Sequence, residues 1–272
     1  MKRVIVRRRV KGGSASPTRR AASQAAGKPR PARLVDNATL DRFSPAILGL
    51  GEVRTPSKEI DAIAAVYDLA GFTTFCNQVD QHLVVPRFLS SFLDWLFDSI
   101  KASLTQQNYG DKRTLWAELP FMAKFMGDGV MLLWNTRGMT EQLICNVVTT
   151  LYDIGRAYRT KFYPEISKVT DKPPTTLRCG LARGRVFSVG NGRDYIGHCM
   201  NTASRLQKLS LLTFCFPHRG FNVSGAMAEE YRRLFIKKSV PIRGVGENEL
   251  VWVLESEFSQ LPEGQRAMFQ DP

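Results

Sequence analysis

From Ile60 to Leu69 nearly every residue is apolar, a run that predicts a buried strand and passes into Tyr67-Asp68-Leu69-Ala70-Gly71-Phe72-Thr73-Thr74-Phe75. From Val84 to Leu104 the apolar residues Phe88, Leu89, Phe92, Leu93, Leu96, Phe97, Ile100 and Leu104 recur at helical spacing, which predicts a long helix packed on a sheet. After a turn at Asn108-Tyr109-Gly110-Asp111, two strand-like runs flank Gly127-Asp128-Gly129, a hairpin signal within Ala123–Trp134. A second helix is predicted from Thr140 to Phe162, stopping near Pro164, and Asp171-Lys172-Pro173-Pro174 breaks the chain. Thr176–Gly190 reads as strand, turn and strand. The next helix follows Gly197 and carries Asn201 and Arg205. Further strands are predicted at Thr213–Phe216, Phe221–Val223, Val240–Arg243 and Leu250–Leu254, with a helix at Ala226–Arg232. This mixture of hairpins and interposed helices predicts an α+β fold whose sheet is mixed or largely antiparallel.

Composition sharpens that picture. A chain of 272 residues, 43% hydrophobic, is long enough to bury a full core. No apolar run reaches the roughly 18 residues that span a bilayer, and no apolar stretch follows the basic start as a secretory signal requires. Cys76, Cys145, Cys179, Cys199 and Cys215 form no CxxC pair, which predicts reduced thiols and a cytoplasmic location rather than a disulfide framework. The net charge of +13 is unevenly placed: residues 1–45 hold 12 Lys or Arg against two acids, so ten of the surplus charges lie there. That stretch is expected to be a disordered basic tail, and its lack of stacking aromatics makes a nucleic-acid role unlikely. Residues 46–58 read as a linker, 59–256 as one domain and 257–272 as a C-terminal tail.

Three stretches carry candidate chemistry. Asp128 sits at a hairpin tip, where a sheet presents a carboxylate on fixed backbone, with Lys124 just upstream; taken alone it is equally an ordinary turn residue. Asp68 ends the first strand, and the N–H groups after Gly71 could receive phosphate oxygens, although a plain helix cap fits that pattern as well. Asn201 and Arg205, spaced i, i+4, share a helix face and could bracket a ribose and a phosphate, or lie on a solvated face.

In this order the segments resemble the catalytic domain of class III nucleotide cyclases. Asp68-Leu69-Ala70-Gly71-Phe72-Thr73 is similar to that family's Asp-hydrophobic-x-Gly-Phe-Thr, and Lys124-Phe125-Met126-Gly127-Asp128 to its Lys-x-hydrophobic-Gly-Asp hairpin. Leu177 to Gly184 resembles its Arg-x-Gly strand, and Asp194 to Arg205 its Asp-x-x-Gly-x-x-x-Asn-x-Ala-Ser-Arg segment. Arg243-Gly244 stands where the family has Lys-Gly, which keeps the charge and alters the geometry. The resemblance implies a mixed, mostly antiparallel sheet flanked by helices, in a head-to-tail homodimer. It implies that Asp68, Asp128 and the Leu69 backbone hold two divalent cations, Mn2+ or Mg2+. By the same resemblance Asn201 and Arg205 are catalytic, Gly71, Phe72, Thr73 and Arg243 meet the phosphates, and Lys124 and Asp194 read the base.

A donor at Lys124 and an acceptor at Asp194 fit adenine and uracil alike. Tyr67 replaces a small residue usual in the purine enzymes, and if it points at the pocket it favours a one-ring base; if it points into the core the argument fails. Tyr67-Asp68-Leu69, Phe92–Phe97, Gly127–Trp134 and Ser204–Leu209 together resemble the standalone pyrimidine cyclases of bacterial antiphage (Pycsar) systems. That resemblance implies UTP in preference to CTP as substrate, and a separately encoded effector that responds to the cyclic product. Adenylate cyclase is the alternative, and outside enzymes a degenerate cyclase-like module or an RNA binder acting through the tail.

Overall fold

The computed structural model describes residues 36–272 apart from Phe43. The chain divides into two units, Met1–Ile47 and Leu48–Pro272, at a point inside the expected linker. The basic tail expected over residues 1–45 lies, as far as residue 35, outside the described residues. Its last part is corrected: Asn37–Arg42 is a short helix, with Arg42 in the last turn where the carbonyl end of the helix dipole favours a cation.

In the larger unit ten strands follow in order: β1 (Glu59–Ala70), β2 (Thr105–Tyr109), β3 (Lys112–Leu115), β4 (Met122–Phe125), β5 (Gly129–Asn135), β6 (Thr176–Val189), β7 (Asp194–Ile196), β8 (Phe214–Pro217), β9 (Phe235–Ile242) and β10 (Gly246–Leu254). β2 and β3 form a separate hairpin, and the other eight make one sheet in the order β4-β5-β1-β6-β8-β10-β9, with β7 paired to the end of β6. Only the β6–β8 pairing is parallel, so the sheet is mixed and mostly antiparallel, as the alternation of elements predicts.

β1 lies at the centre and its side chains alternate between two cores. Ile63, Ala65, Tyr67 and Leu69 face the helices Gln81–Leu104 and Glu141–Ala157, which bring Phe88, Phe92, Leu96, Val148 and Leu151 to that side. Ala62, Ala64 and Val66 face the other side, against Cys199, Met200 and Ala203 of the helix His198–Leu206. Each fully buried Phe contributes about 1.5–3 kcal/mol of transfer free energy, so the first core dominates stability. Among the described residues no helix is long and apolar enough to cross a membrane.

Four expectations are corrected. β6 is one unbroken strand, without the turn that its glycines suggested. The reason is close packing: a Cβ on Gly180 would stand 2.2 Å from the Ala203 carbonyl oxygen and 2.3 Å from the Gln207 nitrogen, so glycine here admits the helix to the sheet. Phe221–Val223 is not a strand, because the Asn222 side chain accepts from the Gly225 N–H and starts the short helix Val223–Ala226; the helix predicted at Ala226–Arg232 is reduced to Glu229–Arg232. The stretch 257–272 is not a loose tail either. Leu261 and Phe269 are buried in a core with Val240 and Val251, and Gln270 pairs with Ser239 on β9.

Candidate active site

The site begins where β1 ends. Asp68 lies opposite Gly129 of β5 and Arg178 of β6, and the Leu69 N–H donates to the Asp128 carbonyl at 2.9 Å. A Cβ on residue 129 would fall 2.0 Å from the Tyr67 carbonyl oxygen, so the glycine after Asp128 is what lets the hairpin close against β1. The loop between β4 and β5 is thereby pinned, and Asp128 is held beside Asp68. Asp68 is only 6% exposed. Its carboxyl is raised above the usual range, first by burial and then by the charge of Asp128, while Lys208 and Arg178 act in the opposite direction. Lys208 Nζ stands 4.0 Å from Asp68 Oδ1. Arg178 Nε is buried with no hydrogen-bond partner, an unsatisfied donor next to a carboxylate pair.

Lys124 and Asp194, 70 residues apart, meet in an ion pair. β4 carries the lysine, β7 carries the aspartate, and Phe121 packs edge-on against Tyr195 beneath them, with ring centroids 5.1 Å apart. The Asp194 carboxylate also accepts from the Tyr195 N–H at 2.9 Å, which sets its direction. Exposed Phe125, Met126 and Ile196 lie on or beside these strands.

Asn201 and Arg205 are exposed on their helix, and the Arg205 guanidinium lies against Gly244 in the β9–β10 turn, next to exposed Arg243. Among the described residues no hydrogen bond or ion pair joins Asn201, Arg205 or Arg243 to the Asp68–Asp128 pair. Gly71 is left-handed, with φ 84°, and starts the one-turn helix Phe72–Phe75. The Phe72 ring is buried in the core, which leaves its backbone for a ligand, whereas Thr73 is exposed. A cavity of about 330 Å³ opens on the opposite side of the sheet, lined by Tyr152, Leu177 and Phe214 among others, and none of the candidate residues lines it.

Tyr67 requires a correction. Its ring is 0% exposed and its hydroxyl donates to the Leu151 carbonyl at 2.7 Å, inside the helix-covered core. Adjacent residues on a strand face opposite ways, so with Asp68 turned to the site Tyr67 is turned from it. It cannot narrow a base pocket. Two residues beside the carboxylates were not singled out from the sequence, Arg178 and Lys208. Arg178 stood in view within the Arg-x-Gly strand, and Lys208 extends the Asn201, Arg205 stripe by one further turn.

Known structures share this architecture. The chain superposes on the adenylyl cyclase CyaB from P. aeruginosa with a TM-score of 0.54 at 14% identity, covering 73% of this chain and 95% of that one. The fold is that of the class III nucleotide cyclases. The guanylyl cyclase Cya2 gives 0.53 at 15% identity, with coverage of 77% and 96%. No family model matches the sequence, and neither does any curated protein. In this chain β1 and the β4–β5 hairpin are neighbours in the sheet, with β4 at its edge, which brings the two carboxylates side by side.

Proposed function

We propose that the protein is a nucleotidyl cyclase, converting a nucleoside triphosphate into a 3′,5′-cyclic nucleotide and pyrophosphate. The observation that carries this reading is the paired carboxylates of Asp68 and Asp128, on a cyclase fold, with the unpartnered Arg178 donor beside them. Asp68 and Asp128 offer a small set of hard oxygen donors. Such a set suits Mg2+ or Mn2+, which keep positions for substrate phosphates. Asp68, Asp128 and the Leu69 carbonyl would hold two such ions, whose chemistry is to activate the ribose 3′-hydroxyl and screen the triphosphate.

The chain's own residues do the rest. Asn201 orients the ribose so that its 3′-oxygen faces the α-phosphorus, and Arg205 meets the charge that grows on the α-phosphate as pyrophosphate leaves. Arg178 and Arg243 supply guanidinium donors to the phosphates, and the N–H groups following Gly71 add to them. Lys124 and Asp194 exchange their mutual ion pair for contacts to the base. In this reading the site is shared between two head-to-tail copies, for which exposed Phe125, Met126 and Ile196 offer apolar contact.

In this reading the base is a pyrimidine, UTP before CTP, and the cyclic product signals to a separately encoded effector in antiphage defence. Its support is the sequence pattern alone, since Tyr67 no longer contributes. The Lys124–Asp194 pair matches adenine equally, so adenylate cyclase is the second reading. Incubation with each of the four triphosphates and Mn2+ or Mg2+, with products resolved by mass, tests both. Cyclic UMP as the main product supports the first, cyclic AMP the second, and no cyclic product from folded protein overturns the cyclase reading.

A further inference from the structure

Asn201, Arg205 and Lys208 follow one another at i, i+4 and i+7 along one stripe of the His198–Leu206 helix and its end. The first two have no ion-pair partner among the described residues. Lys208 differs: it reaches back into its own chain, to Asp68. The Asp68–Asp128 pair thus has two cationic neighbours of opposite character. Arg178 issues from a central strand with its Nε walled in, so it stays. Lys208 issues from the turn just past the end of a helix, its side chain 62% exposed while that of Asp68 is 8% exposed. A four-carbon stem with a hydrated ammonium at its tip swings out to water at little cost.

We propose that Lys208 is an internal counter-ion of the Asp68–Asp128 pair, which a divalent cation must displace, so that Lys208 sets how tightly the nucleotide-free protein holds metal. The inference rests on the reading of that pair as the cation site. An ammonium and a divalent cation at one carboxylate repel each other strongly, so the two compete for it. The consequence is a site that holds metal weakly while empty and tightly once substrate phosphates join the coordination. Lys208 is in this sense a positioning residue, acting on the reaction through Asp68.

Calorimetric titration of the full chain with Mn2+ alone, without nucleotide, tests the idea. Lys208→Met should bind Mn2+ about two- to tenfold more tightly than the unaltered protein, the range set by a partly exposed ion pair. Lys208→Arg should restore the original affinity, and the gain in Lys208→Met should shrink in high salt, which screens the pair. A surface lysine with no such role would leave the affinity unchanged in both variants, and that result overturns the proposal, as does weaker binding in Lys208→Met. If the unaltered protein shows no Mn2+ binding that Asp128→Ala removes, the cation reading itself falls. Binding that Asp128→Ala removes but Lys208→Met leaves unaltered sinks only the role of Lys208.

Discussion

Replacing Asp68 by Asn should make the metal-free protein more stable and useless as a catalyst. The side chain keeps its shape and loses a charge that burial and the neighbouring Asp128 both disfavour. Lys208 and Arg178 offset part of that penalty, so the gain belongs in the middle of the 0.5–2 kcal/mol common for relieving a strained site, about 1 kcal/mol. For a folded unit spanning Leu48–Pro272 this corresponds to a rise in Tm of roughly 2–4 °C. The sign with pH follows from the raised carboxyl. A folded-state value above the unfolded one adds stability at low pH, where Asp68 is protonated, and loses it as pH rises through the folded value. The advantage of the Asn variant should therefore be full at pH 7.5 and vanish as pH falls below the unfolded value of about 3.9. Thermal melts in EDTA across that range measure it. Adding Mn2+ should raise the Tm of the unaltered protein and leave that of the variant nearly unmoved. A variant that melts below the unaltered protein at neutral pH without metal, or a gap that ignores pH, would refute the account of Asp68 as a carboxylate held ready for a cation.

Tyr67→Phe removes the hydroxyl that donates to the Leu151 carbonyl, and should cost about 1 kcal/mol in urea unfolding. Its ratio of purine to pyrimidine turnover should equal that of the unaltered protein, and a shifted ratio would return Tyr67 to the base pocket. Gly180→Ala must push the His198–Leu206 helix from the sheet, with an expected loss of about 1–3 kcal/mol by the same measurement; a neutral result would mean the helix has room to spare. Asp68→Ala and Arg205→Ala chains, each inactive alone, should recover part of the activity when mixed, because a mixed dimer carries one intact composite site. Activity that stays at background after subunit exchange has been demonstrated by labelled chains would rule out the shared site.

The fold was legible wherever a pattern is local, and it failed where the cause lies far along the chain. The apolar run of β1, the long helix with Phe88, Phe92, Leu96 and Ile100, and the Gly127-Asp128-Gly129 hairpin all declare themselves within a few residues. Gly180 does not. A glycine between apolar residues looks like a turn, and only the Ala203 carbonyl, 23 positions on, explains why it is a strand residue without a side chain. Leu261 and Phe269 have no periodicity to reveal that they are core, since they are buried largely by Val240, Ile242, Val251 and Val253 of β9 and β10, with Phe258 added from their own segment.

Tyr67 and Asp68 show the same limit at the site itself. Strand alternation guarantees that neighbouring residues face apart, yet it cannot say which face holds the chemistry. That choice is made by the helix that settles over Gly180 on one side and by the two larger helices on the other, so the sheet assigns Asp68 to the first and Tyr67 to the second. Once Asp68 faces the His198–Leu206 helix, the positions that surround it follow from geometry: Arg178 opposite it on β6, Asp128 through the closed hairpin, and Lys208 from the helix end. The carboxylate pair is therefore a product of the hairpin that closes on the central strand, and its lysine neighbour a product of the helix packed over that strand. A substitution that moves this helix should therefore draw Lys208 away from Asp68 and tighten cation binding, even when every polar residue of the site is left in place.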